Sequence, residues 1–290
     1  MIAARTWRRL GGTDRAATLL LTALVAAVIV VPLASHQNPI DIGDVLALRL
    51  LPPFARDPHG DFHLFGTDRF GRDLFVRMML AGRVSLAVGI VGSLMASAVG
   101  TIVGAVAAWS GGVVDRVLMA LADALLAIPR LVLLLVCAAL WQPGLATVVV
   151  VLIATGWMGV SRLVRAELLG VRALPYVDAA TAMGASPQRV LWRHALPNAL
   201  GPAIVATTLG VGNAILLESG LSFLGLGIQP PRPSWGNMIS GGRDLIVVAP
   251  WVAIIPGLAL IATVLACTLL GDTLRDRLAG EAGTTLRDRA

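Results

Sequence analysis

The sequence predicts an all-α, polytopic membrane protein with six transmembrane helices, on three observations. The chain of 290 residues is 57% hydrophobic and only 14% charged, whereas soluble domains carry about 25% charged residues. It contains six apolar stretches, at about 16–34, 85–109, 117–140, 144–161, 199–217 and 246–270, each near the ~20 residues that a helix needs to cross a bilayer core. The 23 basic residues are all arginine and fall mainly between those stretches.

The elements follow in chain order. Residues 1–15 form a short basic segment with Arg8, Arg9 and Arg15. The stretch 16–34 resembles a signal-peptide core, but its length and the poor cleavage residues Pro32 and Ala34 predict a retained first span. Residues 35–84 form a long loop. Near its end Thr67 or Asp68 is suited to cap a helix. Phe70, Leu74, Phe75 and Met78 recur there at helical spacing, opposite Arg69, Arg72 and Arg77. This pattern predicts an amphipathic helix at the membrane interface, or an ordinary helix covering the bundle.

The region 85–271 holds the remaining five spans. In the second, Gly100 and Gly104 form a small-xxx-small pair suited to close helix packing in lipid. The third carries Asp123 and Arg130, seven residues apart and so on nearly one helix face, with Pro129 able to bend the helix between them. Intramembrane charges face the bundle interior or a wet path. The two residues therefore either hold helices together or lie on a translocation route, with Arg130 meeting a carboxylate of the solute. Between the fourth and fifth spans, within 163–198, lies a polar, helix-compatible island beginning YVDAATAMGASPQRVLWRHALPN. The loop 218–245 holds Pro230, Pro231 and Pro233 and then Trp235, a residue suited to the interface. A tail spans 272–290. Cys137 and Cys267 both fall in apolar stretches and read as small buried hydrophobes.

Composition and charge exclude several function classes. With no lysine, the chain cannot be a P-loop motor, because that loop sets a lysine on the phosphates. The net charge of +6 comes without a clustered basic face interleaved with aromatics, so nucleic acid is not a predicted partner. Six spans put both termini on one side. That side carries 14 arginines, among them Arg5, Arg8, Arg9, Arg287 and Arg289, against eight acids that include Glu281 and Asp288. The other side is balanced, so the 14-arginine side and the island are predicted to be cytoplasmic. An ion-gradient transporter would want several membrane-embedded acids and inverted repeats, and Asp123 is the only acid well inside a predicted span. No Ser/His/Asp set or carboxylate pair suggests catalysis. His59 and His63 with Asp57 and Asp61, in the run DPHGDFH, are the one hint of transition-metal handling; a solvated loop is the plainer reading.

The island has its own physics. Small Ala179 and Ala180 let a short helix press into a groove of another protein, and Gly184 permits a sharp turn. Pro197 interrupts the helix before the fifth span. Asp178 near a helix start is favoured by the helix dipole, and Arg189 and Arg193 present charge four residues apart.

Three blocks together resemble one family: HLFGTDRFGRDLFVRMMLAGRVSLAVG at 63–89, DAATAMGA with RHALPN at 178–198, and ESGLSFLGLGIQPPRPSWGNMISGGR at 218–243 with the apolar run after it. The chain is similar to the permease subunits of bacterial ABC importers for dipeptides, oligopeptides and nickel, specifically the second of the two paired permeases. The resemblance covers about residues 63–279 and implies the type I importer permease fold. It implies that the island is the coupling loop, called the EAA loop, gripped by ATPase subunits. Asp178, Ala179, Ala180, Gly184, Leu196 and Pro197 match that motif in spacing, and Ala185, Arg189 and Arg193 lie within it. Asp178 stands where the motif has Glu, and His194 takes an apolar position. The implied partners are a second permease completing a heterodimer, two ATP-binding cassette subunits, an extracytoplasmic solute-binding protein and membrane lipid. ATP and Mg would bind the ATPase subunits, with no cofactor in this chain. Alternating access is the implied mechanism.

Overall fold

In the computed structural model the described residues are 11–35 and 45–287, with side chains described as far as residue 278. Arg5, Arg8, Arg9, Asp288 and Arg289 of the orientation count lie outside the described residues, and for Glu281 and Arg287 only the backbone is described.

Among the described residues, five helices are long and apolar enough to cross a membrane. They are α1 (Gly12–Ala34), α2 (Leu74–Ser110), α5 (Leu145–Arg172), α7 (Gly201–Phe223) and α9 (Trp251–Arg287). The predicted third span is instead two helices, α3 (Gly112–Leu126) and α4 (Arg130–Ala139), bent by 91°. Pro129 explains the break, since it has no N–H to continue the helix and forces Ile128 away from helical backbone. Counting the bent pair as one gives the sixth span.

The bundle is built on small residues, because lipid supplies no hydrophobic drive between helices. α2 crosses α5 where Gly100 and Gly104 face it. A Cβ at Gly100 would lie 2.6 Å from the Trp157 carbonyl oxygen and 2.7 Å from Val160 Cβ, so only glycine allows this approach. α7 packs against α2 and α9, and α1 lies against α2 and α9. Within α1, Pro32 leaves the Val28 carbonyl without its helical donor. Arg83 of α2 fills the gap: its Nε donates to the Val28 oxygen at 2.7 Å and its Nη2 to the Ile29 oxygen at 2.5 Å.

Two expectations for the segment before α2 are corrected. Residues 67–73 are not an interfacial helix. α2 runs unbroken from Leu74 for 37 residues, and its cap is Asp73, whose side chain accepts from the Val76 amide. Thr67 and Asp68 are buried and occupied elsewhere. Thr67 Oγ1 accepts from the Leu51 amide and donates to the Leu48 oxygen, while Asp68 accepts from Arg72 at 2.8 Å. Arg77 is buried beside Asp68 rather than on a polar outer face. Ahead of this turn, β1 (Ala55–Arg56) pairs antiparallel with β2 (Phe62–His63) in a small hairpin.

Trp235 is also corrected. It opens the short helix α8 (Trp235–Gly242), is 1% exposed, and donates from Nε1 to the Met78 oxygen at 3.1 Å. The loop between α7 and α9 therefore folds into the bundle instead of resting at an interface.

Candidate functional site

Three places in the molecule have the character of working parts. The first is the island, which forms α6 (Pro175–Ala182), a one-turn helix at Pro187–Val190, a π-helical turn at Leu191–Ala195 and a helical turn at Leu196–Ala199. Pro175 and Pro187 each sit at a helix start, where the missing N–H costs nothing. Ser186 caps the second helix by accepting from the Arg189 amide. Gly184 turns the chain at φ +82°. Nothing lies within 4 Å of a Cβ built there, so glycine is required by the backbone angle and not by crowding.

The island presents two different faces. Val177, Ala180, Val190, Leu191, Ala195 and Leu196 are buried in one apolar cluster with Ala105 and Ala108 of α2 and Val164, Leu168 and Val171 of α5. Ala180 and Leu196 thus pack inward, against the expectation that both alanines face a partner. Asp178, Ala179, Gly184, Arg189, Arg193 and Pro197 are exposed, and Ala185 is half-buried. Met183 and Trp192, 83% and 60% exposed, stand among them with Tyr176. Large apolar side chains in a polar stretch such as this are a signal in themselves, one that the motif spacing does not use.

The second place is a cavity of about 420 Å³ between α2, the α3–α4 bend, α5 and α7. Its walls combine small residues with the hydroxyls of Ser93, Ser97 and Thr207, the Asn213 amide and the apolar Leu152, Val160 and Leu209, and Arg130 is the one ionisable side chain among them. Ser93 Oγ donates to the Thr207 oxygen and Thr207 Oγ1 contacts Ser97 Oγ, so these hydroxyls tie α2 to α7. Asp123 is elsewhere. It pairs with Arg162 at 3.0 Å, both side chains more than half exposed, which makes the pair a weak contributor. The bend at Pro129 therefore separates the two charges that a straight helix would have placed on one face. About two turns closer to the α3 start, Asp115 and Arg165 form a two-pronged ion pair joining α3 to α5.

The third place went unread in the sequence. Glu218, predicted to begin a loop, lies inside α7 and is fully buried. It accepts from Ser85 of α2 at 2.8 Å, from Ser222 at 2.7 Å and from Ser219 at 3.4 Å. Ser85 Oγ in turn accepts from the Trp235 amide, and Ser222 Oγ from the Ile228 amide. One carboxylate thus joins α2, α7 and the segment leading to α8. The run Glu218-Ser219-Gly-Leu-Ser222 places its hydroxyls one and four residues from the acid, a spacing that reads as self-contained capping only when the segment is recognised as helical.

In the hairpin, the DPHGDFH run is used structurally. His63 Nδ1 contacts Asp73 Oδ2 at 2.7 Å, and Asp57 accepts from the amides of His59 and Asp61. Burial pulls the Asp57 carboxyl up, but those two amides, with the His63 and His59 imidazoles, outweigh it and hold the group below its ordinary value of 3.8. Among the described residues no group of three His, Cys, Asp or Glu is arranged to hold a metal ion.

A bundle of up to six spans with an open cavity between four of its helices, and a packed segment between two spans, has the architecture of a membrane transport permease. Residues 100–281 match the family described as "Binding-protein-dependent transport system inner membrane component". The chain is 42% identical over 260 residues to a protein of Brucella suis biovar 1 bearing a peptide permease name, covering 89% of this chain and 83% of that protein. It is 41% identical over 216 residues to the glutathione transport system permease protein GsiD of Pectobacterium atrosepticum, covering 74% and 72%. A solved chain of the methionine ABC transporter MetNI, in inward-facing conformations, has the same fold at TM-score 0.57 and 20% identity, covering 70% of this chain and 95% of that one. The chain belongs to the family of binding-protein-dependent transport system inner membrane components, and is a multi-pass permease subunit of an ABC importer.

Proposed function

We propose that this chain is one half of a heterodimeric pore that imports peptides, driven by two ATPase subunits that grip the segment 176–197. The names of its relatives favour di- or oligopeptides over nickel. The observation that carries the reading is the two-faced island. Its inner face is locked into one buried cluster with α2 and α5, so a push on its outer face moves those helices as a body instead of bending a loop. Its outer face offers Met183, Trp192 and Tyr176 as apolar anchors, ringed by Asp178, Arg189 and Arg193, the composition of a docking surface with a charged rim.

In this reading the island end faces the cytoplasm, which the arginine excess on that side supports. Nucleotide and Mg bind the ATPase subunits. Their closure and reopening rock this bundle against its partner permease, exposing the cavity first to one side and then to the other. A solute-binding protein docks at the opposite end, against the hairpin and the α7–α9 segment.

The test is co-purification. Met183→Asp with Trp192→Asp, in a tagged chain expressed with its operon partners, is expected to remove the ATPase subunits from the purified complex while the chain stays in the membrane at its normal level. Full retention of the ATPase subunits by that double variant overturns the assignment.

A further inference from the structure

We propose that Arg130 is the point inside the cavity at which a carboxylate of the passing solute is held. The inference rests on the reading of that cavity as part of the solute path.

Every other arginine described inside the bundle is engaged. Arg83 serves the α1 carbonyls, Arg162 pairs with Asp123, Arg165 with Asp115, Arg77 lies beside Asp68, and Arg172 donates to the Ala108 oxygen. Arg130 differs. Its Nε is buried, and it has no hydrogen-bond or ion-pair partner among the described residues. A desolvated cation without a counter-charge is unfavourable in a membrane bundle, and the remaining cavity walls supply no acid to neutralise it. The site is therefore one anion short.

The surroundings are shaped for the guanidinium. A Cβ at Gly156 would lie 2.8 Å from Ala96 Cβ and 3.3 Å from Arg130 Nη2, so the glycine keeps that space open. Arg130 is also the first residue of α4, whose N-terminus has Pro129 as its cap residue and no capping side chain. The positive end of that helix dipole adds to the guanidinium charge. A planar guanidinium recognises carboxylate with two parallel bonds, and a free peptide carries a carboxylate whatever its side chains. The neighbouring hydroxyls of Ser93 and Thr207 are already bonded within the protein. Arg130 thus meets the one charged feature common to all free peptides, and the remaining polar lining, the Asn213 amide included, is uncharged.

The experiment uses the complete complex, purified through a tag on this chain and reconstituted with its binding protein and ATP. Uptake of a labelled dipeptide is measured for the unaltered chain, Arg130→Lys and Arg130→Gln, beside the same dipeptide carrying a C-terminal amide. The expected result is about a tenfold or greater loss of dipeptide uptake in Arg130→Gln, the scale of one charge-assisted hydrogen bond. Arg130→Lys keeps an intermediate rate, the ratio of acid to amide uptake falls in Arg130→Gln, and the partner subunits still co-purify. Dipeptide uptake unchanged in Arg130→Gln overturns the proposal. So does loss of partner subunits from that variant, which would make Arg130 the counter-charge of an acid on the second permease. Absence of peptide uptake by the unaltered complex overturns the solute-path reading itself, and is distinguished by failing before any substitution is made.

Discussion

Replacing Glu218 by leucine removes the one acceptor that joins α2, α7 and the segment leading to α8. Ser85 and Ser222 donate to it at 2.8 and 2.7 Å from positions of almost no solvent access. Without the carboxylate, both hydroxyl protons are left unpaired, at about 1–3 kcal/mol each. Leucine returns part of this by ending the burial of a charge, so the expected net loss is about 2–4 kcal/mol. Glutamine keeps one acceptor oxygen, and one serine can turn to accept from its NH2, so Glu218→Gln is expected to lose only about 1 kcal/mol. The assay is thermal melting of the detergent-solubilised complex, paired with limited proteolysis of residues 224–250. Glu218→Leu should melt well below Glu218→Gln and be cut faster in that segment, since the Trp235 amide loses its anchored acceptor. Equal melting and equal protection of the two variants and the unaltered chain would refute the assignment of Glu218 as the hub.

Three further outcomes follow from the same geometry. Arg83→Met leaves the Val28 carbonyl unpaired beside Pro32, costing about 1–3 kcal/mol; a cysteine cross-link between α1 and α2 should form more slowly in that variant. Gly184→Val forces a branched residue to φ +82°, a strain of about 1–2 kcal/mol, and should lower ATPase co-purification without lowering membrane insertion. The Asp57 carboxyl is held below its ordinary 3.8, so its contribution to the hairpin is fully present above about pH 4 and is lost as the pH falls through the folded value. Proteolysis at the hairpin, followed from pH 6 to pH 3 with an acid-active protease, should accelerate at the low end in the unaltered chain and not in Asp57→Asn.

The apolar stretches made the bundle legible, because a bilayer sets both the length and the composition of a span. The small pair Gly100 and Gly104 was legible for the same reason, and it does mark the α2–α5 crossing. What stayed hidden depended on contacts between distant residues. Glu218 and Trp235 look like loop residues in isolation, and only the fold brings Ser85 and the Met78 oxygen to them, more than a hundred positions away. Asp123 and Arg130 were placed on one face of a straight helix because hydropathy cannot see a 91° bend; Pro129 carried that signal, but not its size. In the island, the motif spacing pointed to the exposed Asp178 and Gly184. It could not show that Ala180 and Leu196 face inward, because an α–π–α path does not keep a single helical period.

The most direct test of the central claim is ATP-dependent peptide uptake by proteoliposomes containing the complex purified through this chain. The account predicts labelled dipeptide accumulation with ATP and the binding protein present, and none when the ATPase subunits are stripped away. Accumulation driven by a proton or sodium gradient alone, with no ATPase subunit present, would contradict it.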